Sequence, residues 1–147
     1  MMINKIEKIE GGIAYDDRGS VLFVNDFNFS EVKRFYQIEN ISKEVIRAYH
    51  GHEKEGKYVF VSKGSAKIIC AEMRDKELIG PASVFVVNSK KPVIIKIPPG
   101  FANGYKALEE GTTILFFSTS NLEESKEDDF RFPWDYFGRE IWETKNR

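Results

Sequence analysis

The sequence has few cysteines and prolines and no excess of either charge. Each of these features excludes a class of protein. The chain has one cysteine, Cys70, which excludes an intrachain disulfide framework and a multi-cysteine metal site. Five prolines and 11 glycines exclude collagen-like and low-complexity chains. Because 22 Lys and Arg residues balance 23 Asp and Glu residues, no basic excess indicates nucleic acid as a partner.

Targeting and membrane signals are also missing from the sequence. No apolar run approaches the roughly 20 residues that a membrane-spanning helix needs. Residues 1–8 are charged and lack the apolar core of a secretory signal peptide. We therefore expect no membrane partner and a cytoplasmic location.

The composition is that of an ordinary globular domain. Hydrophobic residues make up 41% of the 147 positions and charged residues 31%, and a chain of this length is typical of one domain. We therefore expect residues 1–147 to form a single domain. Cys70 lies in the apolar run 68–71, so we expect a buried and unreactive thiol.

Short apolar segments recur about every 8–12 residues with turn residues between them, which is typical of an all-β sandwich or barrel. Residues 104–108 and 112–118 read as a last hairpin across the turn 109–111. Residues 121–129 could hold a single helical turn, and the aromatic tail after them is expected to cap the barrel or to cover a partner subunit. The predicted strands are 21–24, 32–38, 45–49, 57–61, 66–71, 84–87, 93–97, 104–108 and 112–118.

The two histidines of the chain, His50 and His52, stand two residues apart. Residues i and i+2 of a strand share a face, so both imidazoles should point into the barrel and Tyr49 should point away from it. Arg47 is at an odd offset from His50. It can join the histidines only if the strand bulges or the chain turns there.

The spacing around these histidines follows two motifs of metal-binding cupins, but two of the four metal ligands are replaced. Lys57 stands where the first motif has Glu, and Asn103 stands where the second has His. Two histidines hold a divalent ion poorly and an ammonium repels it, so we expect no metal and no other cofactor. A His base beside cations that face a developing enolate suits proton abstraction next to a carbonyl. Two strand histidines with satisfied hydrogen bonds and no chemistry remain the alternative.

Four segments resemble the cupin-fold nucleotide-sugar epimerases and isomerases, a family typified by dTDP-4-dehydrorhamnose 3,5-epimerase. They are Asp-Arg-Gly at 17–19, Arg-Ala-Tyr-His at 47–50, Gly-Lys-Tyr-Val at 56–59 with Gly64 after it, and Ile-Pro-Pro-Gly-Phe-Ala-Asn-Gly-Tyr at 97–105. The resemblance covers about residues 12–137. It implies an antiparallel cupin or jelly-roll β-barrel, a homodimer, and a nucleotide-diphosphate sugar as substrate in cell-surface polysaccharide precursor synthesis.

The same resemblance assigns roles to individual residues. His50 matches the base that removes a proton next to the 4-keto group of the sugar. Lys57 and Arg47 match the cations around the substrate and the enolate oxygen. Arg18 matches a residue that contacts the diphosphate, often across the dimer interface. The further substrate-binding positions are Tyr36, Asn103 and Tyr105.

Two departures from the epimerase pattern keep other functions open. Residues 118–122 hold no tyrosine where the epimerases have a catalytic one, and the C-terminal tail has no clear counterpart of the family's His-paired Asp. Residues 33–38 and 47–52 are also similar to the 3,4-ketoisomerases, in which His50 and His52 would form the proton-transferring pair. We favour the 3,5-epimerase type. The remaining alternatives are a non-catalytic sugar-nucleotide-binding cupin and a metal-dependent enzyme that uses His50, His52 and Glu53 or Glu55.

Overall fold

The computed structural model describes residues 5–147, and its regular secondary structure consists almost entirely of antiparallel strands. The predicted all-β class and the antiparallel jelly-roll barrel are confirmed. In chain order the elements are β1 Glu7–Glu10, β2 Gly12–Asp16, β3 Gly19–Phe23, β4 Arg34–Glu39, β5 Ile46–His52, β6 Lys57–Lys63, β7 Ser65–Arg74, β8 Glu77–Asn88, β9 Val93–Ile97, β10 Phe101–Ala107, β11 Thr113–Ser118, helix α1 Leu122–Lys126, β12 Phe130–Arg131 and a 3₁₀ turn at Glu140–Trp142.

Two five-stranded sheets face each other across the core. The first has the order β1-β9-β6-β11-β4 and the second the order β12-β5-β10-β7-β8. Cys70 lies between them at 1% exposure, and burial raises the pKa of its thiol to about 12, as expected for an unreactive cysteine. The other core side chains are Val59, Val61, Ala66, Ile68, Val87, Ile95, Ile97, Tyr105, Ile114 and Phe116.

The predicted last hairpin is wrong, because β10 and β11 lie in opposite sheets. Strand β10 pairs with β5 and β7, whereas β11 pairs with β4 and β6. The connection between them is fixed by the Thr112 hydroxyl, which donates to the carbonyls of Glu109 and Ser65. The chain therefore passes from one sheet to the other at a turn that the sequence presents as an ordinary hairpin loop.

Strands β2 and β3 form a separate two-stranded hairpin. All five residues of β3 are exposed, and Tyr15 on β2 is 80% exposed. Arg18 lies in the turn of this hairpin. The hairpin therefore presents apolar side chains and one guanidinium away from the two main sheets.

The C-terminal segment covers the outer face of the second sheet. Tyr49, which points away from the core as predicted, packs there against Phe137 and Trp142. The indole Nε1 of Trp142 donates to the Trp134 carbonyl at 2.9 Å. The aromatic tail therefore caps one sheet of the barrel, which is one of the two arrangements expected from the sequence.

The single helical turn predicted within 121–129 is confirmed as α1, which the Asn121 side chain caps. None of the helices in residues 5–147 is long and apolar enough to cross a membrane.

Candidate functional site

A cavity of about 300 Å³ opens between the two sheets and contains nearly all of the predicted site residues. Seven of the eight lie in its wall, and Arg18 does not. The wall is formed by Arg34, Tyr36, Arg47, His50, His52, Glu55, Lys57, Asn103, Tyr105, Phe116, Ser125, Lys126 and Asp129.

A bulge in β5 brings Arg47 to the same cavity as the histidines. His50 pairs with Asn103 of β10 and Arg47 pairs with Tyr105, so that two residues of β5 oppose Gly104 alone. A bulge of this kind is what Arg47 needed to join the histidines, because it is at an odd offset from His50. Gly104 permits it, because a Cβ at this position would lie 2.3 Å from the Ala48 Cβ.

His50 is half-buried in the cavity wall and has a depressed pKa. Burial lowers the pKa of His50 most, and the charges of Lys57 and Arg131 lower it further. The nearby carboxylate of Asp129 opposes this shift. His50 is therefore neutral at pH 7 and able to accept a proton.

Lys57 and Asn103, which replace two metal ligands of the cupin motifs, contact each other. The Lys57 Nζ lies 3.3 Å from the Asn103 Oδ1 and 3.8 Å from the Glu55 Oε2. Both side chains are buried. Burial lowers the pKa of Lys57, and Glu55 opposes that shift. The two positions therefore present an ammonium donor to the cavity.

An aromatic wall faces the histidines. Tyr36 stacks on Phe116 with 5.1 Å between ring centroids, and Tyr105 packs on the same ring at 5.2 Å. Burial raises the pKa values of Tyr36 and Tyr105 above their ordinary range, and the charge of Glu55 adds to the shift at Tyr36. Both phenols keep their protons at neutral pH.

Arg34 and Glu55 belong to the site although the analysis of motifs did not place them there as a pair. Arg34 Nη2 lies 3.0 Å from the Ser125 Oγ and 3.7 Å from the Glu55 Oε1. Arg34 could have been found from the sequence, because it shares a strand face with Tyr36. Glu55 appeared in the sequence only as a possible metal ligand, since it lies in a turn whose path no periodicity predicts.

Asp129 supplies an acidic group from the C-terminal segment, in which the motifs gave no clear counterpart of the family's His-paired Asp. It directly precedes β12, which pairs with β5 opposite Gly51 and His50. Its carboxylate contacts the Arg131 Nε at 3.1 Å and also faces the cavity. The pairing of β12 with β5 is a long-range contact, so sequence spacing alone could not reveal this placement.

Arg18 lies outside the cavity, at the turn of the β2–β3 hairpin. Its side chain is 86% exposed and contacts the Asp16 carboxylate, with an Nη2–Oδ2 distance of 2.5 Å. An exposed ion pair of this kind contributes little to stability. Its guanidinium is therefore available to another anion.

The metal-dependent alternative lacks its ligand set in the described structure. No group of three or more His, Cys, Asp or Glu side chains able to hold a metal occurs within residues 5–147. Glu53 is exposed, and the ammonium of Lys57 lies beside Glu55.

Comparison with known proteins finds a family whose model matches the sequence and solved structures that share the fold. A family model described as dTDP-4-dehydrorhamnose 3,5-epimerase matches residues 2–137. The spore coat polysaccharide biosynthesis protein SpsL of Bacillus subtilis (strain 168) is 34% identical over 93 residues, which are 62% of this chain and 62% of that protein. The aligned part of the chain thus spans less than two thirds of the length of this curated relative.

Two solved structures share the fold. ChmJ, a 3'-monoepimerase from Streptomyces bikiniensis in complex with dTDP-quinovose, has a TM-score of 0.76 at 14% identity, covering 92% of this chain and 73% of that one. QdtA, a sugar 3,4-ketoisomerase from Thermoanaerobacterium thermosaccharolyticum in complex with TDP, has a TM-score of 0.68 at 22% identity, covering 92% and 93%. At these identities the likeness is one of fold.

Proposed function

The chain belongs to the dTDP-4-dehydrorhamnose 3,5-epimerase family, and from that premise we propose that it is a nucleotide-sugar isomerase. Its substrate would be a dTDP-4-keto-6-deoxyhexose, and residues 1–147 would work as one cupin domain around the described cavity. The observation that carries the proposal is a neutral His50 in a cavity that also holds the Lys57 ammonium. The name of the Bacillus relative supports a place in polysaccharide precursor synthesis.

His50 is the base in this proposal. It removes the proton from C3, next to the 4-keto group, and the electron pair of the C–H bond forms the C3=C4 double bond of an enolate. Its depressed pKa keeps it unprotonated at neutral pH. Asp129 faces the cavity beside it and stabilises the imidazolium that results.

Lys57 and Arg47 stabilise the negative charge on the enolate oxygen. Lys57 is buried, so its ammonium acts in a medium of low dielectric, where one such donor is worth roughly 2–4 kcal/mol in the transition state. Arg47 is held by Asn40, whose Oδ1 accepts from the Arg47 Nε at 2.7 Å. No metal enters this scheme, because a divalent ion beside Lys57 would be repelled.

Epimerisation requires a proton to return to C3 from the face opposite His50. Tyr36 lies on β4 of the first sheet, whereas His50 lies on β5 of the second, and both line the cavity. The Tyr36 phenol stays protonated at neutral pH. It is the candidate donor in place of the tyrosine missing from residues 118–122, and the same chemistry at C5 would complete a 3,5-epimerase.

A 3,4-ketoisomerase is the second candidate, and the position of His52 favours it. His50 and His52 line the cavity from the same strand and so approach the sugar from one side. His50 would then carry the carbon proton from C3 to C4 through an enediol, while His52 moves a proton between the two oxygens.

We further propose that the active species is a homodimer. The exposed β2–β3 hairpin would carry Arg18 to the cavity of the second copy, where its planar guanidinium suits a diphosphate. The substrate would then lie between the two subunits, with the nucleotide contacting the hairpin and the sugar contacting β5.

The product identifies the reaction. The protein is incubated with dTDP-4-keto-6-deoxyglucose and the sugar ring of the product is analysed by NMR. An inverted C3, alone or with C5, supports the epimerase, and a keto group at C3 supports the ketoisomerase. Unchanged substrate at a concentration where binding is measured would overturn the proposal for this sugar and favour a non-catalytic binding protein.

A further inference from the structure

The turn between β5 and β6 places a buried carboxylate, Glu55, against His52 and close to the proposed base. Asp128, which follows α1, accepts hydrogen bonds on its carboxylate from the main-chain N–H groups of Glu53, Lys54 and Glu55, at 2.7, 2.9 and 3.0 Å. One buried carboxylate therefore fixes the path of the whole turn. As a result, Glu55 points inward and Glu53 points to solvent.

The main chain of Asp128 also fixes the tautomer of His52. The His52 Nδ1 contacts the Asp128 carbonyl oxygen, which can only accept a hydrogen bond. Nδ1 must therefore carry a proton in every state of the ring. Proton exchange at His52 is thus confined to Nε2, in a residue that lines the cavity.

Glu55 lies against that Nε2. Its Oε2 is 3.4 Å from the His52 Nε2, and its side chain is 1% exposed. On its other side, Ser125 donates to the Oε1 and Arg34 lies 3.7 Å away. A carboxylate buried this deeply needs partners that carry protons or charge, and one of those partners is the exchanging nitrogen.

Resting on the proposed function in its ketoisomerase form, we propose that Glu55 is a positioning residue that raises the proton affinity of the His52 Nε2, so that this nitrogen can take a proton from one sugar oxygen and pass it to the next. When His50 takes the C3 proton, the C–H electron pair becomes the C3=C4 bond and the C4=O π pair moves to O4. The neutral Nε2 of His52 takes the proton of the C3 hydroxyl and passes it to O4, with Nδ1 still donating to Asp128. The electron pair left on O3 forms the C3 carbonyl while the C3=C4 pair takes the proton from His50 at C4, so His50, His52 and Glu55 end as they began.

The charged groups around His52 have opposite effects on the pKa of its ring. The pKa of His52 is lowered on balance, because burial and the Lys57 ammonium from β6 outweigh the opposite effects of Glu55 and of the contacts from Asp128. His50 on the same strand is neutral at pH 7 and adds little charge. Arg34 from β4 lies 3.7 Å from the Oε1 of the same Glu55 carboxylate. Glu55 is therefore the side chain whose removal changes the proton affinity of Nε2 most directly.

The test is a ¹⁵N NMR titration of the histidine rings in Glu55→Gln, with Glu53→Gln as matched control. His50→Asn assigns the signals, because the chain has two histidines. Glu55→Gln should lower the proton affinity of His52 at least about tenfold and leave His50 nearly unchanged. Glu53→Gln should match the wild type, since that carboxylate is exposed in the same turn.

Turnover of dTDP-4-keto-6-deoxyglucose gives the second readout. With Glu55→Gln, kcat should fall by about 10- to 100-fold, with little change in KM. An unchanged His52 titration in folded Glu55→Gln would overturn the inference even if the wild type is active. An inactive wild type whose His52 titration responds to Glu55→Gln would overturn the proposed function alone.

A tautomer measurement keeps the inference testable if Glu55→Gln does not fold. Neutral His52 in the wild-type protein should carry its proton on Nδ1. Detection of the Nε2–H tautomer there would overturn the inference without any variant.

Discussion

Charged neighbours from other parts of the chain shift the pKa of His50. Its side chain is half-buried and has no side-chain hydrogen-bond partner among residues 5–147, so its replacement leaves no polar partner unsatisfied. We predict that His50→Asn lowers kcat by about 10²- to 10⁴-fold, as expected for a lost general base. The midpoint of thermal unfolding and the affinity for dTDP should stay close to wild type, and activity within tenfold of wild type would mean that the base is another group.

Lys57 is the next residue at which the mechanism can be tested. Lys57→Met should remove roughly 2–4 kcal/mol of transition-state stabilisation, measured as kcat/KM. The matched control is Lys126→Met, because Lys126 lines the same cavity with an exposed side chain. Equal rates for Lys57→Met and the wild type would leave Lys57 with no part in stabilising the enolate.

The pH dependence follows from the two depressed pKa values. His50 must be neutral, so kcat/KM should fall as the pH drops through a pKa below the ordinary 6.5 of histidine. Lys57 must be charged, so kcat/KM should also fall as the pH rises through a pKa below the ordinary 10.5 of lysine. A bell-shaped profile with both limbs inside these limits is expected, and Lys57→Met should lose the alkaline limb.

Among the elements, the strands were predictable and their partners were not. Alternating and apolar segments placed β4 to β7 and β9 close to their observed bounds, because side-chain period is a local property. The segments 104–108 and 112–118 satisfied the same rule, yet they belong to opposite sheets. Strand pairing depends on which face of each strand packs against the core. Residues far away in the chain determine that face.

The residues of the candidate site divide in the same way: placements set by local geometry could be predicted, and placements set by distant parts of the chain could not. The shared strand face of His50 and His52, and the condition that Arg47 needs a bulge, came from local geometry and are observed. Glu55 and Asp129 reach the cavity from a turn and from the segment after α1. No local period describes either of those segments, so sequence could not place them.

The β5 bulge is an element-scale feature that can be tested. Gly104→Ala places a Cβ 2.3 Å from the Ala48 Cβ and 3.0 Å from the Ala48 Cα, so the two strands must move apart. We expect a loss of about 1–3 kcal/mol in the free energy of unfolding, measured with urea. Gly80→Ala is the control, because its Cβ meets only Phe137 at 3.5 Å. Equal stability of the two variants would contradict the packing described at the bulge.

The whole molecule is expected to work as a pair of chains, with Arg18 completing the site of the second copy. Arg18→Ala and His50→Asn should each be inactive at low substrate concentration. After subunit exchange, half of the dimers are mixed and each mixed dimer has one intact cavity, so about a quarter of wild-type activity should return. Exchange shown by mass spectrometry without recovered activity would contradict a role for Arg18 across subunits.

Hydrogen exchange at the sugar carbon tests the central claim most directly. Wild-type protein and His50→Asn are each incubated with dTDP-4-keto-6-deoxyglucose in D₂O, and the deuterium in the sugar ring is located by NMR and mass spectrometry. We predict deuterium with the wild type, at C3 of an epimerised product or at C4 of a product with its keto group at C3, and none above the uncatalysed level with His50→Asn. Equal incorporation by the two proteins, or none by a wild type that binds the substrate, would contradict proton abstraction by His50.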